Sequence, residues 1–442
     1  MVSNALPKNE RSHVLILGAY GLLGSGVAKH LIAQNIAVTG FGRNPQIAQR
    51  VLPEINWITG DLKTYCRSED WNSALKGITA VVNCSGALQD GPNDELEFIH
   101  HNMVAALSIA CLEHDIKLIQ ISAVGALTDA STEFLASKAR GDVAIKNSGA
   151  HYAIFRPGLV LAPNAYGGTA LLRMLAAVPI IQAVSFPNAK IQSVSQSDVC
   201  QAVQLALSDS MPEKFECDLV EMQSHRLQDV VTKLRNWLGF KSANFNLAVP
   251  EIVAHAISKY ADALSWLGWK SPLRSTGIQV LREGVLGNPN QWNSLNLFVV
   301  GPLDKTLDQM RATAEDRLSA RISVLFPFLI GTLSLFWILS GIFGLISVEK
   351  AAHVLKDVGW SSQLATTSVV FWALVDISLG GAILLRNFAK AACLGMVITS
   401  VFYLLASSIF VPQLWLDPLG PLVKVLPSIV LALVTYVTLE NR

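Results

Sequence analysis

Three glycines, Gly18, Gly21 and Gly24, recur at intervals of three in GAYGLLG, between the apolar run HVLIL and the helix-patterned stretch GVAKHLIAQN. Each has a physical use at a strand-to-helix turn. One permits the tight turn, one lets a phosphate approach the backbone, and one lets helix pack on strand. The start of the following helix then offers N–H groups to the phosphates. This is chemistry for holding a pyrophosphate, with Tyr20, Leu22 and Leu23 in the same loop. The spacing is GxxGxxG, not GxGxxG, and a glycine motif alone also fits an ordinary strand–helix turn.

The elements that follow decide between the two. A second strand, IAVTGFG, ends at Arg43 with no acid at its tip. An Arg there suits a 2′-phosphate, which favours NADP(H) with NAD(H) as the other option. A solvated loop residue is the alternative for Arg43. NWITG runs to Asp61-Leu62, and TAVVNCSGA holds Asn83-Cys84-Ser85-Gly86. A helix with Asn102 precedes KLIQISAVGA, and a helix with Lys138 precedes HYAIFRPGLVLAP. This alternation predicts an α/β fold, a doubly wound parallel sheet of Rossmann type with ligands at the carboxyl ends of its strands.

At 442 residues the chain is long enough for two to four units. Hydrophobic residues make up 51% and charged residues 15%, a balance that calls for a membrane portion. A net charge of +1 gives no reason to expect nucleic acid. The 6 cysteines form no CxxC pair, and His100 and His101 are adjacent, so we expect neither a disulfide framework nor a metal. The opening MVSNALPKNERSH has no apolar h-region; residues 1–12 read as a polar tail and not as a secretory signal.

The apolar load sits in the last third. Spans are expected at about 322–346, 366–385, 391–411 and 422–439, an all-α four-helix transmembrane bundle within 322–442. Buried core helices of a soluble domain are the alternative. Arg311, Arg317 and Arg321, the turn with Arg386 and Lys390, and Arg442 share one side if all four cross; Lys350, Lys356 and Lys424 share the other. That bias favours an integral protein of the inner (cytoplasmic) membrane, with the nucleotide domain and both termini cytoplasmic. Trp360 and Trp415 suit the interface, and Gly380-Gly381 and Ser340-Gly341 suit close helix approach. Asp376 lies inside a span, as a proton or headgroup contact or as a hydrogen bond to a neighbouring helix; we favour the latter. Residues 301–321 read as one charged juxtamembrane helix.

As a set, these motifs resemble the short-chain dehydrogenase/reductase superfamily in its extended or atypical branch, over roughly 13–300. GAYGLLG resembles its glycine signature, Gly60-Asp61-Leu62 its adenine-side motif, Asn83-Cys84-Ser85-Gly86 its NxAG turn, and Arg156-Pro157-Gly158 its RPG segment. SVSQSDVCQAV, with Asp198, resembles the late helix start of that fold. The tail resembles DoxX-like membrane domains, on Ser340-Gly341 and LDPLGP. The resemblance implies cofactor contacts from Gly18, Tyr20, Gly21, Leu22, Leu23, Gly24, Arg43, Asp61 and Leu62. It implies further contacts from Cys84, Ser85, Gly86, Asn102, Lys138, Pro157 and Gly158.

The family pairs a Tyr with a Lys four residues later, on one helix face. The Lys holds the ribose, and the Tyr moves the proton. The matching stretch is Phe134-Leu-Ala-Ser-Lys138, so the Tyr position holds Phe134. Ser122 ends the fifth strand as the candidate helper hydroxyl, with Ala123 and Val124 after it. Tyr152 and Tyr166 are the substitutes to weigh, Tyr152 as core and Tyr166 in a loop.

Residues about 160–300 should form a helical substrate-side subdomain. Its Trp237, Trp266, Trp269 and Trp292 read individually as core, and together with the membrane they fit a lipid- or quinone-like substrate. Two functions follow. One is an NAD(P)H-linked oxidoreductase or epimerase-like enzyme on a membrane-associated substrate. The other is a non-catalytic NADP(H)-binding structural or redox-sensing module among membrane-complex subunits.

Overall fold

Short aliphatic runs separated by glycine-bearing turns build seven strands of one sheet. They are β1 (His13–Leu17), β2 (Ala37–Gly42), β3 (Asn56–Thr59), β4 (Ala80–Asn83), β5 (Lys117–Ile121), β6 (Tyr152–Pro157) and β7 (Lys214–Leu219). Neighbours are all parallel, in the order β7-β6-β5-β4-β1-β2-β3. The order reverses between β1 and β4, which opens a crevice at the carboxyl ends of those strands. The doubly wound parallel sheet is therefore the fold of the N-terminal region. The computed structural model describes residues 12–91, 95–208, 210–269, 271–418 and 420–440 of the 442. The tail expected at 1–12 lies outside them except for Ser12.

A central parallel strand buried on both faces must be apolar throughout, and β1 is. Val14 and Ile16 pack into one layer with Val27 and Leu31 of α1 (Leu22–Ala33). Leu15 and Leu17 pack into the other with Trp71 and with Met103 and Leu107 of α2 (Met103–Glu113). Helix α3 (Glu133–Ser148) starts where the Thr132 side chain accepts the Leu135 N–H and stops at Gly149, whose φ of 88° few other residues adopt. Helix α4 (Gln196–Ala206) lies over α1, and α5 (Glu251–Trp266) follows in the helical segment beyond the sheet. Trp292 is 1% exposed and packs on Phe155 and Phe298, as core.

The single helix expected over 301–321 is corrected. A helix at Leu303–Gln309 stops, and a second begins at Ala314. The break is marked by one distant contact and one local cap. The Trp237 indole N–H donates to the Met310 carbonyl. Thr313 and Asp316 then cap the new helix reciprocally: the Asp316 N–H donates to Thr313 Oγ1 at 3.2 Å and the Thr313 N–H to Asp316 Oδ2 at 2.8 Å.

Among the described residues, three helices are long and apolar enough to cross a membrane: α6 (Ala314–Ile346), α7 (Ser362–Ala382) and α8 (Arg386–Phe410). The fourth expected span, 422–439, is α9 (Val425–Glu440), of 16 residues. Residues 421–424 form turns, so α9 is about 24 Å long, short of a hydrocarbon core of about 30 Å. Small residues let α6 and α7 touch. A Cβ on Gly341 would lie 2.4 Å from the Ala373 carbonyl oxygen, and one on Gly380 would lie 2.9 Å from that of Ser334. Asp376 accepts the Ser340 hydroxyl at 2.8 Å and the Tyr403 hydroxyl at 2.9 Å. The carboxyl inside the span is thus hydrogen-bonded to both neighbouring helices. The chain divides into two compact units, Met1–Ala261 with Pro272–Arg317, and Asp262–Ser271 with Leu318–Arg442.

Candidate functional site: a dinucleotide cleft

The turn after β1 requires its glycines. Gly18 has φ +69° and donates its N–H to the Phe41 carbonyl at 3.1 Å. A Cβ at Gly24 would lie 2.3 Å from the Gly18 oxygen, so only glycine lets α1 start so close to the strand. Helix α1 begins at Leu22 with Gly21 as its N-cap, and no side chain caps it. Its first N–H groups are left for an anion. The Leu22 carbonyl accepts the Gln196 amide at 2.6 Å, and Leu23 packs on the core.

Tyr20 lies over the end of β2. Its hydroxyl accepts the Arg43 N–H at 3.2 Å, and a Cβ on Gly42 would meet its ring at 2.4 Å. This sets the exposed Arg43 at the tip of β2, beside the glycine turn. Asp61, also exposed, accepts the Lys63 N–H at 3.2 Å and caps the short helical turn Leu62–Thr64.

The end of β4 closes against the same turn. Cys84 donates its N–H to the Leu17 carbonyl at 3.1 Å, and Ser85 donates its N–H to Asn83 Oδ1 at 3.0 Å. A Cβ at Gly18 would lie 3.1 Å from Ser85 Cα. Gly86 faces Lys138 and His100: its Cβ would come within 3.6 Å of Nζ and 3.2 Å of Nε2.

Lys138 is 6% exposed and donates to the Ile121 carbonyl at 3.1 Å. Burial pulls its ammonium below the ordinary value, while Asp142 and Cys84 oppose that pull. Burial pushes the Cys84 thiol up. Phe134, one turn before Lys138, sets its ring 5.8 Å from Nζ and edge-on to His100.

His100 has a defined tautomer. Nε2 accepts the Ala87 N–H at 3.2 Å, so the proton is on Nδ1, 2.9 Å from Ser137 Oγ. Burial, and then the nearby Lys138 charge, push its pKa down to about 2. It is a neutral clamp between the β4 turn and α3. Asn102 ends the wide helical turn Phe98–Asn102 that carries it.

The structure gives Ser122 a different partner. Its hydroxyl donates to Asp142 at 2.9 Å. Burial raises the Asp142 carboxyl, and Arg156, at 3.0 Å, pulls it back most strongly. Arg156 continues to Glu216 at 2.7 Å. Pro157, at the end of β6, accepts the Val124 N–H at 3.2 Å. A Cβ on Gly158 would lie 2.5 Å from the Gln192 oxygen. Tyr152 stands at the amino end of β6, opposite Leu118, on the far side of the sheet from the cleft. Tyr166 is 69% exposed in its loop.

The structure thus brings Gly18–Gly24, Arg43, Cys84–Gly86 and Lys138 to one edge of the sheet. His100 and Asp142 are additions that the sequence reading did not assign. Asp142 had a signal, four residues after Lys138 on the same helix face; His100 had none.

The glycine turn, the uncapped helix start and the crevice at the carboxyl ends of β1 and β4 fit a dinucleotide. Residues 18–179 match the family described as NAD(P)H-binding, and residues 334–433 match the DoxX-like family. WbmG of Bordetella bronchiseptica, solved with NAD, is 16% identical, with 72% of this chain and 98% of that one covered and a TM-score of 0.52. The protein gox2253 is 18% identical, with 71% and 99% covered and a TM-score of 0.53. Triphenylmethane reductase of Citrobacter sp. is 17% identical, with 67% and 99% covered and a TM-score of 0.52. An uncharacterized chloroplastic protein of Arabidopsis thaliana is 35% identical over 81 residues, 18% of this chain and 25% of that relative. The chain therefore spans about a quarter of the length of that curated relative. The N-terminal part of the chain, a doubly wound parallel sheet, is thus similar to the NAD(P)H-binding family, and the apolar helical part that follows it is similar to the DoxX-like family.

Proposed function

We propose that the chain is a membrane-tethered, NADP(H)-dependent reductase of a lipid- or quinone-like acceptor that draws its proton from water. The observation that carries this reading is the pair Phe134 and Lys138. The residue that would hold the ribose is kept and buried beside Gly86, and the residue that would move a proton is a hydrocarbon ring. Gly18, Tyr20, Gly21, Leu22, Leu23 and Gly24 would hold the pyrophosphate. Arg43 would take the 2′-phosphate, and Asp61 and Leu62 would border the adenine. Cys84, Ser85, Gly86, Asn102, Pro157 and Gly158 would line the nicotinamide side. The bound nicotinamide would supply a hydride. Phe134 has no proton to give, and the one N–H of the neutral His100 is held by Ser137, which suits an acceptor protonated by water.

The apolar helices support a membrane-resident acceptor. The basic residues before α6 and between α7 and α8 support a cytoplasmic nucleotide domain at the inner membrane. A second reading, a non-catalytic NADP(H) module of a membrane complex, rests on the same Phe134. Fluorescence titration of NADPH and NADH on detergent-purified protein, followed by turnover with short-chain quinones, separates them. Quinone-dependent oxidation that Phe134→Tyr raises supports the reductase. Tight binding without oxidation by either protein supports the module, and no binding removes both.

A further inference from the structure

Helix α5 is built inside out. Its buried stripe is made of small residues, Ala254 at 4%, Ser258 at 1% and Ala261 at 4% exposed. Its large apolar residues face away: Ile252 is 83%, Tyr260 67% and Trp266 84% exposed. At roughly 100° per residue, Ile252, Val253, Ile257 and Tyr260 fall on one arc about 140° wide. Glu251, His255, Lys259 and Asp262 form a separate charged arc, and Trp266 falls within it. A helix with an uncovered apolar face and a charged flank is the pattern of a helix lying in a lipid–water interface.

The chain beyond the helix runs to the ends of two apolar helices. Leu267 accepts the Arg386 N–H at 2.9 Å. The Trp269 indole donates to the Leu384 carbonyl at 2.6 Å, and its ring meets Phe326 of α6. Leu384 lies in the turn between α7 and α8, and Arg386 opens α8. The residues that follow α5 are therefore held at the ends of two apolar helices, beside Arg386 and Lys390, and basic residues there would sit at the headgroups if those helices cross a bilayer. Tyr260 and Trp266 are residue types that settle there, and Lys259 has the stem to reach water from it.

We propose that α5 lies along the lipid surface, with Ile252, Val253, Ile257 and Tyr260 sunk below the headgroups and His255 and Lys259 in water. The occupant of the exposed face is the bilayer itself. The inference does not depend on the proposed reductase activity.

The full chain, with the exposed Cys66 replaced (Cys66→Ser), is given single cysteines at Val253, Ile257, Tyr260, His255 or Lys259. Each is labelled with a nitrobenzoxadiazole dye in phosphatidylcholine–phosphatidylglycerol vesicles. The expected result is blue-shifted emission and several-fold stronger quenching by doxyl lipid at 253, 257 and 260 than at 255 and 259. Water-like emission at all five positions overturns the proposal. So does a blue shift without doxyl quenching, which would mean that protein covers the face. Labelling of the unsubstituted chain in the same vesicles with a lipid-soluble phenyl diazirine gives a reading that no substitution disturbs. Adducts within 252–260 support the proposal, and their absence while α6 is labelled overturns it.

Discussion

Ser122 gives its hydroxyl proton to Asp142 across 2.9 Å, from the end of β5 to the second half of α3. Asp142 is 2% exposed, so the hydroxyl serves a buried carboxyl and not the cleft. Ser122→Ala should lower stability by about 1–3 kcal/mol, the cost of leaving a buried acceptor short of a donor. NADPH affinity should stay within about twofold. Thermal unfolding and cofactor titration on the same preparation check this. Unchanged stability with lost turnover would place the hydroxyl on the substrate instead.

Arg43 is held at the tip of β2 through its own N–H on Tyr20. If its guanidinium takes the 2′-phosphate, Arg43→Asp removes a charge-assisted contact worth about 1.5–3 kcal/mol. NADPH should then bind roughly 10- to 100-fold more weakly, while NADH gains a partner for its 2′-hydroxyl. The measured quantity is the ratio of the two dissociation constants. A ratio that does not move returns Arg43 to the solvated loop.

His100 sets a pH dependence with a definite sign. Its folded pKa is pushed down to about 2, against an ordinary 6.5. Unfolded chain therefore binds a proton that folded chain refuses. The stability is present above about pH 6.5 and is lost as pH falls, at close to 1.4 kcal/mol per unit. Between pH 7 and pH 5 this one residue should remove roughly 2 kcal/mol. Chemical denaturation of the wild type and of His100→Gln at both pH values tests it. The variant should be weaker at pH 7 and should show a shallower fall toward pH 5.

Asp376 joins three helices through Ser340 and Tyr403. Hydrogen bonds inside a membrane bundle are worth about 0.6–2 kcal/mol each. Tyr403→Phe should cost about that much, and Asp376→Leu more, because both hydroxyls then lose their acceptor. Thermal unfolding in detergent gives the order. Equal stability of wild type and Asp376→Leu would show that the carboxyl is kept for chemistry instead.

The parts of this molecule that were legible in the sequence are those that local chemistry decides. HVLIL before Gly18 must be a strand buried on both faces, and Gly24 must be glycine because the backbone passes 2.3 Å from where a Cβ would be. The parallel sheet and the cleft at the carboxyl ends follow from repeating that unit. The rest depends on contacts between distant residues. His100 precedes Phe134 by a whole strand and helix, and nothing in FIHHN announces the Ala87 N–H. The break before Ala314 comes from Trp237, far back in the chain. The charged residues of 301–321 have helical spacing and gave no sign of it. The outward face of α5 was hidden for the same reason: amphipathic spacing reveals that a helix has two faces but not which one the domain takes.

The order of the chain also bears on how the protein is made. All seven strands precede the first apolar span. The domain is sealed by Gly301, which donates to Asp198 at 3.0 Å, and by Leu303, which donates to the buried Glu221 at 2.8 Å. These residues leave the ribosome just ahead of α6. The nucleotide-binding sheet can close while the spans are still inside the exit tunnel, because chains fold domain by domain from the N-terminus. Insertion of the tail then proceeds with the apolar interior of the sheet already hidden from the translocation machinery.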